Sequence, residues 1–147
     1  MARGGVTVAR VEFWFDFSCP YAYLASTRVE ALAARAGAEL DVRPMLLGGV
    51  FRARNVPQNL SATMSPAKAR HNLDDMRRAA QRAGVELRMP AGHPMRTVEA
   101  LRCVLAAGIP WPLIHRIYRA YWVENVEVSD REVLARLLGV EVADAPG

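Results

Sequence analysis

Cys19 is the residue whose type and position most directly suggest chemistry. It lies in the segment Ser18-Cys19-Pro20, between an apolar run and a stretch with helical spacing. The free N–H groups and partial positive charge at a helix N-terminus stabilise a thiolate, so a cysteine placed there can react at neutral pH. A buried cysteine that only fills space in a core is the alternative, and position alone does not distinguish the two.

Three elements would hold Cys19 in this position. Residues 8–17 are predicted to form a strand, because β-branched and aromatic residues dominate them. Pro20 suits the first position of a helix, where its missing N–H costs nothing, and apolar residues at helical spacing continue to a stop at Gly37. Residues 39–45 are predicted to form a second strand. The result is a strand–helix–strand unit with parallel strands and a right-handed crossover.

The rest of the chain is predicted to be mostly helical, after a loop-like stretch at residues 55–65. Ser65 can cap a helix that Gly84 ends. A capping box at residues 129–132 opens a short helix that Gly139 ends. Two more helices are predicted, over residues 94–107 and from about Pro112.

Charge and composition limit the partners that the chain could have. The chain has 147 residues and a net charge of +4, and Lys68 is its only lysine. Because the arginines are dispersed along the chain, a pocket for a small anion, or plain solubility, is favoured over nucleic-acid binding. No apolar run approaches the roughly 20 residues of a membrane-spanning helix, and the N-terminus does not resemble a signal peptide. We therefore expect a cytoplasmic location with no membrane partner.

The cysteines and histidines do not predict a disulfide framework or a metal site. Cys19 and Cys103 are far apart in sequence and form no CxxC pair, and the three histidines are scattered. Cys103 lies within a predicted helix and is interpreted as a core filler.

Several segments resemble one protein family. The stretch FDFSCPYAYLAS, residues 15–26, resembles the active-site turn of the DsbA-like thioredoxin superfamily. It is most similar to the branch of 2-hydroxychromene-2-carboxylate isomerases and kappa-class glutathione transferases. Further similar segments follow in the same order at residues 43–55, 65–90, 97–102 and 117–134. The resemblance covers about residues 8–140, and it rests on the order and spacing of motifs that are weak one by one.

The resemblance implies glutathione as the cofactor and suggests roles for particular residues. Cys19 stands where this branch usually has a catalytic serine, which interacts with the sulfur of glutathione, and where the oxidoreductases have the first cysteine of CxxC. Ala22 replaces the second cysteine of that motif, which excludes an internal dithiol cycle at this turn. Asn55 and Lys68 match positions near the glutathione site, although a turn residue and a solvated helix residue are the alternatives.

Two aromatic residues are further candidates for binding. Tyr21 could edge the pocket, but it also lies on the apolar face of its helix, so packing is equally open. Trp122 is expected in the helical core and could also form a wall of a substrate cavity.

The similarity to the branch ends before the C-terminal part of its fold. Relatives continue with further strands and helices, which bring a Val-Pro-Thr type turn and a Gly-x-Asp-Arg type motif to the glutathione site. Neither motif occurs in this sequence. The sheet is therefore expected to keep two strands, with the edge of the first strand and part of the sheet face uncovered. An exposed apolar edge invites aggregation or pairing with another chain. A homodimer or a completing C-terminal chain are the expected partners.

These observations predict an α/β, thioredoxin-like (DsbA-type) fold with an inserted all-helical subdomain, mostly helical because the C-terminal strands are missing. The predicted units are residues 6–50 for the thioredoxin-like portion, 51–140 for the helical insertion and 141–147 for a tail.

The predicted function is a glutathione-dependent isomerase of the 2-hydroxychromene-2-carboxylate isomerase type, acting on an anionic, aromatic-derived small molecule. A DsbA-like monothiol oxidoreductase or glutathione transferase that uses Cys19 is one alternative. A truncated, non-catalytic module is the other.

Overall fold

The computed structural model of the chain describes residues 8–139. These residues form two strands and seven α-helices, with one short 3₁₀ helix at Leu60–Thr63. In chain order the elements are β1 (Arg10–Phe15), α1 (Pro20–Ser26), α2 (Val29–Arg35), β2 (Glu39–Pro44), α3 (Leu47–Ala53), α4 (Pro66–Ala83), α5 (Val98–Ala106), α6 (Trp111–Trp122) and α7 (Arg131–Leu138). None of the helices within the described range has the length and apolarity needed to cross a bilayer.

The two strands pair in parallel, as the sequence predicts. The register runs from Arg10 opposite Glu39 to Phe15 opposite Pro44. Strand β1 is shorter than the predicted residues 8–17, because the chain leaves the sheet at Asp16 to form the turn that carries Cys19. The parallel pairing therefore places Cys19 just beyond the carboxyl end of a core strand.

The single helix predicted between the strands is wrong, because the chain forms two helices there. Ser26 Oγ donates to the carbonyl of Tyr23 at 2.7 Å, and Thr27 Oγ1 donates to that of Leu24 at 2.7 Å. Hydroxyl side chains that bond backbone carbonyls in this way compete with helix continuation. The predicted stop at Gly37 is confirmed, since this residue adopts a left-handed φ of 62°.

The caps of α4 agree with the sequence, whereas that of α7 differs by one residue. Ser65 Oγ accepts a hydrogen bond from the Lys68 N–H, and Gly84 ends α4. The capping box assigned to residues 129–132 is wrong in its first residue. Asp130 caps α7 by accepting from the N–H groups of Glu132 and Val133, because its carboxylate is one position closer to them. Gly139 ends that helix as predicted.

Helices α3 and α5 differ most from the sequence prediction. Residues 47–53 form α3 although the segment contains two glycines, which are poor helix formers. The boundary predicted between residues 50 and 51 falls inside this helix. Helix α5 begins at Val98 rather than Pro94, because residues 93–97 form hydrogen bonds to other parts of the molecule. The predicted tail at residues 141–147 lies outside the described residues.

The core is built around aromatic rings on one face of the sheet. Phe13 and Phe15 of β1 and the following Phe17 point to this face, where Tyr118 of α6 meets Phe17 at 4.9 Å between ring centroids. Trp122, also of α6, is fully buried beside them. Burying large rings contributes most of the hydrophobic stabilisation in a chain of this size. Helix α6 therefore packs against the residues that lead from β1 into the turn.

The opposite face of the sheet is charged. Arg10 and Arg43 both pair with Asp41, and the Arg43 guanidinium lies 5.0 Å from the centre of the Trp14 ring. Within residues 8–139, β2 is the one strand that pairs with β1. The uncovered sheet face that the sequence predicts is present, but ion pairs and a cation–π contact occupy it rather than an apolar surface.

Candidate active site

The turn between β1 and α1 holds Cys19 by its backbone. The Cys19 N–H donates to the carbonyl of Asp16 at 3.1 Å, and the Cys19 carbonyl accepts from the Tyr23 N–H at 3.0 Å. Cys19 is the N-cap residue of α1, and Pro20 follows at the first helical position, as the sequence predicts. Cys19 is partly exposed.

Asp16 ties this turn to two distant segments. Its carboxylate accepts from the Ser18 N–H at 3.1 Å, from the Leu47 N–H at 2.7 Å and from the Thr97 hydroxyl at 2.6 Å. Asp16 is only 2% exposed, so these bonds form away from bulk water. Hydrogen bonds to a buried charged group are among the stronger ones in proteins. Asp16 therefore fixes the starts of α3 and α5 relative to the Cys19 turn.

A cavity of about 970 Å³ opens beside this turn. Cys19 and Tyr21 form one side, and α3 and the 3₁₀ segment form another. Met76 of α4 and residues 93–98, which lead into α5, complete the lining. The volume is that of a small-molecule site, since ligand pockets span roughly 300–1,000 Å³.

The lining combines apolar surface with positive charge. Arg52 and Arg96 both line the cavity and are exposed. Of the lining residues in the described part of the chain, Asp16 alone is a carboxylate, and its oxygens are already occupied. Much of the apolar part comes from leucine, methionine and phenylalanine side chains, among them Leu46, Leu47, Phe51, Leu60, Met64 and Met76. Such a lining suits an anion that also carries an apolar body.

Amide side chains add neutral hydrogen-bonding groups to the cavity. Gln58, Asn59 and Asn72 all line it. Gln58 Nε2 donates to the carbonyl of Gly48 at 3.0 Å, and a Cβ atom on Gly48 would lie 2.6 Å from Gln58 Oε1. The glycine in α3 therefore allows Gln58 to approach the helix closely.

Of the five residues singled out from the sequence, two line the cavity. These are Cys19 and Tyr21. The Tyr21 hydroxyl donates to Asp75 Oδ2 at 2.9 Å, which connects α1 to α4. Partial burial, followed by the hydrogen bond to Asp75, raises the pKa of Tyr21, so the phenol stays protonated at neutral pH.

The other three residues lie elsewhere. Asn55 is exposed just after α3, with a left-handed φ of 54°. Lys68 is exposed in the first turn of α4. Trp122 is fully buried, and its Nε1–H donates to the Phe17 carbonyl at 2.8 Å, so it supports the Cys19 turn from inside the core. The binding roles suggested for these three stay predictions.

The sequence patterns did not single out most of the polar residues that line the cavity, and four of them matter for the binding of an anion. These are Arg52, Asn59, His93 and Arg96. His93 is half-buried, and its burial lowers the pKa of the imidazole below the usual range. Each lies in or next to a loop with no motif of its own, so only the assembled fold relates them to Cys19. In the described residues, no group of His, Cys, Asp and Glu side chains forms a metal site.

Comparison with known proteins places this site within a family. The family model of the DSBA-like thioredoxin domain matches residues 10–145. No curated protein matches the chain. A solved structure of 2-hydroxychromene-2-carboxylate isomerase is similar in fold, with a TM-score of 0.70 and 23% sequence identity. The similarity covers 90% of this chain and 66% of that structure, so the chain spans about two thirds of its length.

The comparisons bear on two of the predictions. The thioredoxin-like, mostly helical fold class is confirmed by the matched domain and by the similar structure. The resemblance to the DsbA-like thioredoxin superfamily is confirmed by the family model, and the solved isomerase structure shares this fold. The family model covers the Cys19 turn, the helical segment and all of the described residues that line the cavity. The chain belongs to the family of DSBA-like thioredoxin domains.

Proposed function

We propose that this chain acts as a glutathione-dependent isomerase on an anionic, aromatic-derived substrate. The observation that carries the proposal is the composition of the cavity beside Cys19. Two arginines, several amides and an apolar wall surround a partly exposed thiol, and the one carboxylate in the described lining is buried and hydrogen-bonded. Glutathione carries two carboxylates, and the proposed substrate is an acid with an aromatic body. Both match this combination of charge and apolar surface.

Glutathione fits the donor groups that the cavity offers. Arg52 and Arg96 would pair with its carboxylates, and Asn59 and Gln58 would bond its peptide groups. The Cys19 turn would receive its sulfur. When bound, glutathione would supply a thiolate that adds reversibly to an unsaturated acid and so allows rotation about the former double bond. The chain's own contribution is to bind and orient both molecules and to limit the access of water through its apolar wall.

A monothiol oxidoreductase or transferase that uses Cys19 is the second candidate. The partly exposed thiol of Cys19 favours it, because serine is the residue that the isomerase branch usually has here. In that reaction the Cys19 thiolate attacks glutathione disulfide, and the disulfide bond breaks. One glutathione thiolate leaves, and a mixed disulfide remains on Cys19.

Two measurements on the same variants separate these candidates. Calorimetry with reduced glutathione is expected to show saturable binding to the wild type, Cys19→Ser and Cys103→Ser, because the isomerase needs only the non-covalent site. Treatment with glutathione disulfide followed by mass spectrometry tests the second candidate. An adduct on the wild type and Cys103→Ser, but not on Cys19→Ser, would support it. Absence of binding by all three folded proteins would overturn the proposal and favour a non-catalytic module.

A further inference from the structure

His93 and Tyr121 form a hydrogen-bonded pair at the edge of the cavity. His93 Nδ1 lies 2.7 Å from the Tyr121 hydroxyl oxygen, and the Met95 N–H donates to the same oxygen at 3.0 Å. The His93 ring also packs against Trp122, with 5.2 Å between ring centroids. Tyr121 is fully buried, whereas His93 is half-buried and lines the cavity. The Nδ1 side of the imidazole is therefore held by the core, while His93 as a residue borders the cavity.

The positions of the protons follow from counting donors and acceptors. The Tyr121 oxygen accepts from Met95, and its own O–H needs an acceptor because the group is buried. In the described structure, His93 Nδ1 is the acceptor that lies within hydrogen-bond distance. If Tyr121 O–H donates to Nδ1, the proton of the neutral imidazole must be on Nε2.

The charge states of both residues agree with this arrangement. Burial raises the pKa of Tyr121 to about 12, so the phenol keeps its proton over the physiological range. Burial also lowers the pKa of His93, so the imidazole is neutral at pH 7. A neutral ring with an acceptor at one nitrogen and a donor at the other is the form that the contacts require.

We propose that His93 is a substrate-binding residue whose Nε2–H, oriented by Tyr121, donates a hydrogen bond to an oxygen of the anionic substrate in the cavity. This inference rests on the proposed function, because it takes the aromatic acid as the occupant. Arg96, which also lines the cavity, would pair with the negative charge of the substrate. The hydrogen bond from His93 would fix the orientation of the substrate. A site built to bond a substrate oxygen discriminates strongly against analogues that lack it. Tyr121 does not line the cavity and acts as a positioning residue.

The orientation of His93 can be measured on the whole chain without any ligand. Nitrogen-15 NMR of the imidazole is expected to show Nδ1 unprotonated and Nε2 protonated in the wild type at pH 7. Tyr121→Phe keeps the ring but removes the hydroxyl, so it should give a mixture of both tautomers. A wild-type ring protonated at Nδ1 would overturn the inference, even if every binding result below were as expected.

The binding role is tested with 2-hydroxycinnamate, an unsaturated aromatic acid, by calorimetry in the presence of glutathione. His93→Met removes the donor at similar volume and should weaken binding about tenfold or more, as expected for one hydrogen bond to a charged group. His93→Gln retains an N–H near the Nε2 position and should keep most of the affinity. His71→Gln, on the exposed face of α4, is the matched control and should bind like the wild type.

The outcomes distinguish this inference from the proposed function. Equal binding of 2-hydroxycinnamate by the wild type and by folded His93→Met overturns the role of His93. If the wild type also binds glutathione in that experiment, the proposed glutathione site is retained. Failure of the wild type to bind 2-hydroxycinnamate overturns the role of His93 as well. Failure of the wild type to bind glutathione overturns the proposed function and, with it, the substrate-binding role of His93, whatever orientation of the ring the NMR spectrum shows.

Discussion

Cys19 and Cys103 are both partly buried thiols, and the regions around them differ in how they are held. Cys19 lies in a turn whose backbone and neighbours are fixed by the buried carboxylate of Asp16, and it borders a cavity. Cys103 lies in the middle of α5 and is not part of that lining. Burial raises the pKa of Cys103, and the nearby Glu99 adds to the increase while Arg131 opposes it.

The comparison shows that the surroundings, and not the residue type, decide what a thiol can do. The thiolate is the reactive form, so a raised pKa keeps Cys103 protonated and unreactive at neutral pH. The Cys19 region instead combines an accessible thiol with a rigid polar support and room for a ligand. A reactive site needs these three features together, and Cys103, although it is also partly exposed, does not border the cavity or share the Asp16 network.

The largest expected difference between the two regions is in alkylation by iodoacetamide at pH 7. Cys19 should react at least about tenfold faster than Cys103, because it borders an open cavity whereas Cys103 is held as the thiol. Raising the pH above about 9 should speed the reaction of Cys103, since its raised pKa delays the formation of thiolate to higher pH. Peptide mapping by mass spectrometry measures each rate.

Cys19→Ser and Cys103→Ser are the controls for this experiment. The first should abolish the fast phase and the second should leave it unchanged. A fast phase that disappears with Cys103→Ser would reverse the assignment of the two regions.

The polar support of the Cys19 turn is tested by Asp16→Asn. We expect the free energy of unfolding to fall by about 2–3 kcal/mol, because an amide NH₂ would face an N–H or O–H donor at a fully buried position. Thr97→Val removes one of the three donors at similar volume and should cost about 1–2 kcal/mol. Urea denaturation measures both.

Asp41→Asn, on the charged sheet face, is the matched control and should have a much smaller effect because its carboxylate is solvated. If both substitutions lowered the free energy of unfolding equally, the buried hydrogen bonds of Asp16 would stabilise the protein no more than an ion pair on its surface does.

The smallest expected effect is a pH dependence of the free energy of unfolding, caused by His93 at the edge of the cavity. The pKa of His93 is lowered by burial, so between this value and about 6.5 the unfolded chain binds more protons than the folded chain. The free energy of unfolding should therefore decrease as the pH falls through 6.5. His93→Gln should show less of this decrease between pH 7 and pH 5, measured by urea denaturation at each pH.

His71→Gln should retain the wild-type pH profile, because His71 is exposed on α4. If the pH dependence of stability were lost in His71→Gln but kept in His93→Gln, burial of the His93 imidazole would not be its cause.

The sequence prediction succeeded mainly where a structural feature depends on residues that are close together in the chain. Ser65 and Gly84 were assigned correctly, because a cap or a stop is set by the backbone within a few residues. The break after Ser26 and the helix at Leu47–Ala53 were not predicted. In the first case hydroxyl groups redirect local hydrogen bonds. In the second, the Asp16 carboxylate, 31 residues away, accepts the first free N–H of a helix that contains two glycines.

By itself, the sequence determined the two parallel strands, the place of Cys19 at the turn between β1 and α1, and the family to which the chain belongs. These depend on apolar periodicity, on residues such as Pro20 with strong local preferences, and on motifs that are contiguous in sequence. Only the tertiary structure brought Thr97 to Asp16, Tyr121 to His93, and Arg52 and Arg96 to one cavity. The reason is physical: a buried hydrogen bond between distant residues forms when packing brings them together, and no local pattern in the chain encodes that distance.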